Sequence, residues 1–116
     1  MSDYPGTYDS ELALKTSALQ SAGSANGTGI AAGPCGSMPV KLVVIVSVVA
    51  SGGTLDVHLE DAAADTGYAD LDNSTMTQIT AVGRYEQLVW LPKKWVRIVS
   101  TVGTASVTWE AFLTRP

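Results

Sequence analysis

Residues 40–60 read Val40-Lys41-Leu42-Val43-Val44-Ile45-Val46-Ser47-Val48-Val49-Ala50-Ser51-Gly52-Gly53-Thr54-Leu55-Asp56-Val57-His58-Leu59-Glu60. β-Branched residues dominate the first half, the composition of a pleated strand. The apolar run 42–50 has about half of the ~20 residues a membrane helix needs, so it reads as a strand. Ser51-Gly52-Gly53 is a hairpin signal. After it, Leu55, Val57 and Leu59 fall on one face of a second strand, and Asp56, His58 and Glu60 on the other. The first strand has no comparable polar face. Leu42, Val44, Val46 and Val48 line one side, and Val43, Ile45 and Val49 the other, interrupted by Lys41 and Ser47. An antiparallel strand in a sandwich is normally polar outside. The second apolar face therefore predicts a cover: the N-terminal segment, another subunit, or both. Covering three such side chains contributes several kcal/mol at ~25 cal/mol per Å².

Strands continue on both sides of this core. Residues 61–73 read as an acidic loop with a turn at Asp65-Thr66-Gly67. Residues 75–80 form a short Thr-rich strand, and Ala81-Val82-Gly83 turns into a strand over 84–91. That strand is also apolar on both faces, with Val89 and Leu91 opposing Leu88 and Trp90, and Pro92 ends it. Residues 95–102 and 106–113 make two more strands around Gly103-Thr104, the last with Val107, Trp109, Ala111 and Leu113 on one face. Towards the N-terminus, 21–38 is punctuated by Asn26-Gly27, Gly33-Pro34 and Gly36, with 28–32 a short edge strand. Leu12, Leu14, Thr16 and Ala18 alternate, so 11–20 is a strand. Residues 1–10, carrying Tyr4, Pro5 and Tyr8, have no usable period and read as an arm. The expectation is an all-β chain: an antiparallel, jelly-roll-like β-sandwich of about eight strands over 11–116, with an extended N-terminal arm.

Composition narrows the function. The chain has 116 residues, one domain's worth. Its net charge of −4 opposes a nucleic-acid role, which needs a basic face. Charged residues are only 16%, against roughly 25% in an average soluble domain, while hydrophobic residues reach 46%. A single cysteine, Cys35, excludes an intrachain disulfide and the multi-thiolate zinc sites. The first residues lack a basic and then apolar leader pattern, so assembly in the cytoplasm is expected and no membrane partner. Charge is uneven: residues 1–74 hold nine acids and two bases, and residues 75–116 two acids and five bases. Segregated in space, such halves would attract head to tail and favour a homo-oligomer.

Reaction chemistry finds little footing. Asp56, His58 and Glu60 share a strand face, but their Cβ atoms are about 7 Å apart, so one ion cannot easily take all three. The acidic loop 61–73 has Asp61, Asp65, Asp70, Asp72 and Asn73 without the EF-hand spacing. No nucleophile elbow is present, and Gly52-Gly53 is too short for a phosphate cradle. Cys35, flanked by Pro34 and Gly36, has no neighbour to activate it. The expectation is a protein that is not an enzyme, with no cofactor, metal or small-molecule substrate. One alternative is open: Trp90, Trp95 and Trp109, with Tyr68 and Tyr85, could form a sugar-stacking platform, as in a carbohydrate-binding module.

Several local forms point elsewhere. They are the turn and strand Ser51-Gly52-Gly53-Thr54-Leu55-Asp56-Val57, the turn Asp65-Thr66-Gly67-Tyr68, and Thr77-Gln78-Ile79-Thr80-Ala81-Val82-Gly83. The segment 95–108, from Trp95-Val96-Arg97 to Gly103-Thr104-Ala105-Ser106, is the fourth. As a set, over 38–115, they resemble small β-sandwich structural proteins of tailed-bacteriophage virions, from head and tail gene clusters. The chain departs from that pattern at Thr104, where relatives carry the second of two glycines. The resemblance implies a virion structural protein, foremost a capsid decoration protein that binds the major capsid protein and copies of itself. A tail or head–tail connection protein is the neighbouring alternative. Tyr4, Pro5 and Tyr8 in the arm, and Val43, Ile45 and Val49 on the second apolar face, are the expected partner-facing residues.

Overall fold

The computed structural model describes residues 12–34 and 39–114. The arm with Tyr4, Pro5 and Tyr8, and the Cys35 loop, lie outside the described residues. Among the described residues nine strands form, and no helix is long and apolar enough to cross a membrane. The strands are β1 (Ala13–Gln20), β2 (Gly23–Asn26), β3 (Ile30–Ala31), β4 (Val40–Val49), β5 (Thr54–Ala62), β6 (Ala69–Asp70), β7 (Gly83–Val89), β8 (Trp95–Gly103) and β9 (Val107–Thr114). They make two antiparallel sheets. One has the order β1-β9-β4-β7; the other has β2-β8-β5-β6, with β3 also on β8. This is a jelly-roll order: the first strand pairs with the last, and the pairs nest inward along the chain.

The tight turns do not make hairpins. Gly53 N donates to Ala50 O (2.8 Å) and Gly52 takes a φ of +78°, so Ser51-Gly52-Gly53 does reverse the chain. Yet β4 pairs with β9 and β7, while β5 pairs with β8 and β6. The turn is a corner that hands the chain from one sheet to the other. The turn at Gly103-Thr104 is a second corner, joining β8 to β9 in the opposite sheet. The two corners touch: Ala50 N donates to Ser106 O at 2.9 Å. Turn residues specify a reversal, but the pairing partner is chosen by which faces bury together.

Thr104 sits in its corner with a φ of +70°, in the left-handed region that disfavours a β-branched residue. That conformation costs a non-glycine residue roughly 1–2 kcal/mol. Glycine would remove the strain and return about 0.5–1 kcal/mol through its freer unfolded chain. Thr104→Gly is therefore expected to stabilise the protein by about 0.5–1 kcal/mol. A urea midpoint at or below that of the parent would contradict the strain.

Between the sheets lies a continuous core. Leu42, Val44 and Val46 of β4 stand opposite Leu113, Ala111 and Trp109 of β9, and all are at most 1% exposed. Leu55, Val57 and Leu59 of β5 face them from the other sheet, with Val96, Ile98 and Val102 of β8. The alternation of 106–113 thus has the phase read from sequence. In β4 the phase breaks. A bulge between Val46 and Val48 puts Ser47 out of register, and Ser47 Oγ donates to Thr108 O. Beyond it Val48 turns outward (55% exposed), and Val49 packs against the core. Val49 therefore leaves the face shared by Val43 and Ile45.

Four further segments differ from expectation. Residues 23–26, read as loop, form the edge strand β2 on Asn26↔Val99 through Gly23↔Val102. A run of small residues has no hydrophobic period to betray it. Asp61 and Ala62 extend β5, and Ala69–Asp70 pairs with it as β6, so 61–73 is not all loop. Residues 75–80 make no regular strand. They follow the β5 edge with Ile79 bridging Leu55 and Met76 N donating to Val57 O. Ser74 stands in for the missing ladder bonds: its Oγ meets Leu59 N at 3.0 Å and Leu71 O at 2.7 Å.

Candidate functional site: the outer faces and an end groove

The outward residues of β5 are polar and already paired. Asp56 Oδ2 accepts from Gln78 Nε2 (2.9 Å). His58 Nε2 lies 3.2 Å from Asp70 Oδ1. Glu60 Oε1 accepts from Arg97 Nε and Nη2 at 2.8 and 2.7 Å. Arg97 also lies over the Tyr68 ring, 4.5 Å from its centroid, and Tyr68 donates to Asp65. Desolvation first, then that bond and the Asp65 charge, push the Tyr68 phenol up to about 12, with Arg97 opposing. The strand period separates Asp56 from this group, and β6 brings Asp70 in its place. His58, Glu60 and Asp70 present ligand atoms within 4.8 Å of one another. The Arg97 guanidinium on Glu60 supplies the positive charge there, and a metal ion would compete against it.

The outer face of the β1-β9-β4-β7 sheet carries the second apolar surface. Val43 stands opposite Phe112, and Ile45 opposite Glu110. Val43 is 0% exposed and Phe112 is buried, outside the inter-sheet core, so at these two residues the cover comes from within one copy of the chain. Ile45 is half-buried. Beside it, Glu86 on β7 pairs with Lys41 (3.1 Å) and Arg84 (2.7 Å), and hydrogen bonds from both hold its carboxyl below the usual range. Leu88 and Trp90 stay open on the outward phase of 84–91. At the opposite end, Leu19 and Val48 flank Thr108 in one ladder row and are exposed.

The sugar-stacking alternative would need Trp90, Trp95, Trp109, Tyr68 and Tyr85 open together, and they are not. Trp109 is fully buried, with Nε1 donating to Gln20 Oε1 at 3.1 Å. Lys15 lies 4.7 Å from its ring centroid, and burial lowers the Lys15 ammonium's pKa against the opposing charge of Glu110. Trp95 is half-buried, and Tyr85 donates to Ala81 O. Trp90 alone among them is exposed, and it borders a groove.

That groove, about 440 Å³, opens where β5 ends. Asp61, Asp70, Asp72 and Asn73 line one part, and Trp90 and Lys93 another. Asp61 was legible in the sequence only by extending the Leu55, Val57, Leu59 period two residues further, which makes it inward-facing. Its place at the head of an acidic run hid that phase. Comparison with known protein families, with curated proteins and with solved structures finds no match to this chain.

Proposed function

We propose that this chain is a structural protein of a tailed-phage virion, foremost a capsid decoration protein, acting by binding rather than catalysis. The outer face of the β1-β9-β4-β7 sheet carries the reading. On a two-sheet scaffold it leaves Leu19 (62% exposed), Val48 (55%), Leu88 (49%) and Trp90 (47%) open to partners. The exposed apolar residues lie at the two ends of this face with the Lys41, Arg84 and Glu86 ion pairs between them, which offers partners two apolar contacts separated by a polar strip. The resemblance of the corner segments to phage virion sandwiches supports the same reading. Contacts spread over several capsid subunits must break together, which raises the free energy of shell rupture. The partners are then the major capsid protein and further copies of this chain, in a virion assembled in the host cytoplasm.

The test compares the full chain with one lacking residues 1–10 on undecorated capsids of the phage that encodes it. The expected outcome is that both fold, with unchanged circular dichroism, and that the truncated chain attaches more weakly. Full occupancy by the truncated chain would remove the arm, with Tyr4, Pro5 and Tyr8, from the interface. Failure of the full chain to bind capsids at all would overturn the decoration role. Electron microscopy of particles then separates copies over the shell from copies at one vertex, the tail-connection alternative.

A further inference from the structure

The end groove has the chemistry of a ligand site, independently of any virion role. Its polar wall contains a carboxylate in an unusual setting. Asp61 is 5% exposed and falls in the core-facing phase of β5. Its strand neighbours in that phase, Leu55, Val57 and Leu59, are all fully or almost fully buried. Among the described residues no hydrogen bond or ion pair reaches its side chain. Among the described residues no fully buried side-chain oxygen lacks a partner, so the Asp61 carboxylate keeps some solvent contact, and Asp61 is one of the residues that line the groove. With only 5% of the residue exposed, the carboxylate has few water partners, and a ligand hydroxyl in the groove would add a hydrogen bond to it.

The other wall supplies an apolar plane. Trp90, the residue after β7, is 47% exposed, an uncommon position for an indole unless something covers it. The loop that carries Asp72 and Asn73 is held by two hydrogen bonds. Ser74 Oγ donates to Leu71 O at 2.7 Å, and Gln87 Nε2 donates to Asn73 O at 3.2 Å. A pre-positioned wall lowers the ordering cost of binding.

Charge selects the ligand. Three carboxylates, Asp61, Asp70 and Asp72, oppose an anion, and Asp70 is already engaged by His58. Lys93 in the same groove offsets part of that negative charge and leaves a cation as the control to be tested. What suits both signs at once is a neutral ligand rich in hydroxyls. Hydroxyls can donate to the carboxylates, accept from the Lys93 ammonium and do both with the Asn73 amide, while a flat C–H face lies on Trp90. The volume lies within the about 300–1,000 Å³ typical of small-molecule sites. We infer that the groove between Asp61 and Trp90 is a saccharide-binding site, taking one or two units of a neutral glycan.

The experiment follows the three indole N–H resonances of the full chain by NMR during titration. The probes are chitotetraose, maltotetraose, cellotetraose, mannotetraose and, as a cationic control, argininamide. At least one oligosaccharide is expected to move the Trp90 indole while that of buried Trp109 stays fixed. Trp90→Ala is expected to weaken that oligosaccharide about tenfold or more. Asp61→Asn is expected to weaken it at least about fivefold with the fold intact by circular dichroism. The proposal is overturned if no saccharide moves Trp90 at about 10 mM, a concentration that reveals millimolar affinity. It is also overturned if Trp90→Ala binds as well as the parent, or if argininamide moves Trp90 and the saccharides do not. None of these outcomes depends on capsid attachment.

Discussion

Replacing Trp109 with alanine is expected to lower the unfolding free energy by about 3–5 kcal/mol. The side chain is the largest among the fully buried ones, so truncation leaves a large cavity between the sheets. It also removes a polar link. Gln20 Oε1 accepts from both Trp109 Nε1 and Ser100 Oγ, and so ties β1 of one sheet to β8 of the other. The Lys15 ammonium loses the ring it lies over as well. Small domains are stable by only about 5–15 kcal/mol, so the variant is expected to melt far below the parent. Trp109→Phe keeps most of the volume and loses the indole hydrogen bond, and should cost about 1–2 kcal/mol. Urea unfolding followed by far-ultraviolet circular dichroism measures both. A loss under about 1 kcal/mol for the alanine variant would mean that Trp109 does not fill the core.

Ser74→Ala is expected to cost about 1–3 kcal/mol, a large effect for the loss of one oxygen. Ser74 is 0% exposed, and its hydroxyl serves Leu59 N, Leu59 O and Leu71 O. Alanine fills nearly the same volume but leaves the Leu59 amide buried without a partner. The cost is that of an orphaned donor rather than of lost packing. The local signature separates it from a general loosening. Amide exchange at Leu59 should accelerate ahead of its neighbours, because the segment after β6 is held to β5 at that point. If Leu59 exchanges no faster relative to Leu55 and Val57 than in the parent, the hydroxyl is not holding that edge. The same variant loosens the wall that carries Asp72 and Asn73 and should weaken any ligand of the groove.

The candidate sites were unequally visible from sequence. The outward set Asp56, His58 and Glu60 followed from period two alone, because three consecutive inward residues of β5 are apolar. Asp70 joins His58 because a two-residue strand returns beside β5, and two residues carry no period. Val43 and Ile45 lie on the second apolar face as expected, yet Val43 is covered within the chain itself while Ile45 is half-buried. Leu88 and Trp90 stay open on β7 and just beyond it, at the edge of that sheet.

What the amino-acid sequence determines by itself is local: which residues pleat, where the chain reverses, and which side chains share a face. Steric preference of β-branched residues and the backbone freedom of glycine act over a few residues, and the order of residues encodes them directly. The in-phase row of Val107, Trp109, Ala111 and Leu113 and the reversal at Gly52 belong here. Tertiary structure alone decides the partners. The turns at Gly52 and Thr104 look like hairpins but become corners. β4 is apolar on both sides and lies between β9 and β7, while β5, polar outside, joins the other sheet. Burying both sets of inward faces against each other satisfies more apolar surface than pairing sequence neighbours would. The bulge at Ser47 arises the same way. It is a register shift against β9, whose Thr108 lies 61 residues further along the chain, and no stretch of neighbouring residues records it.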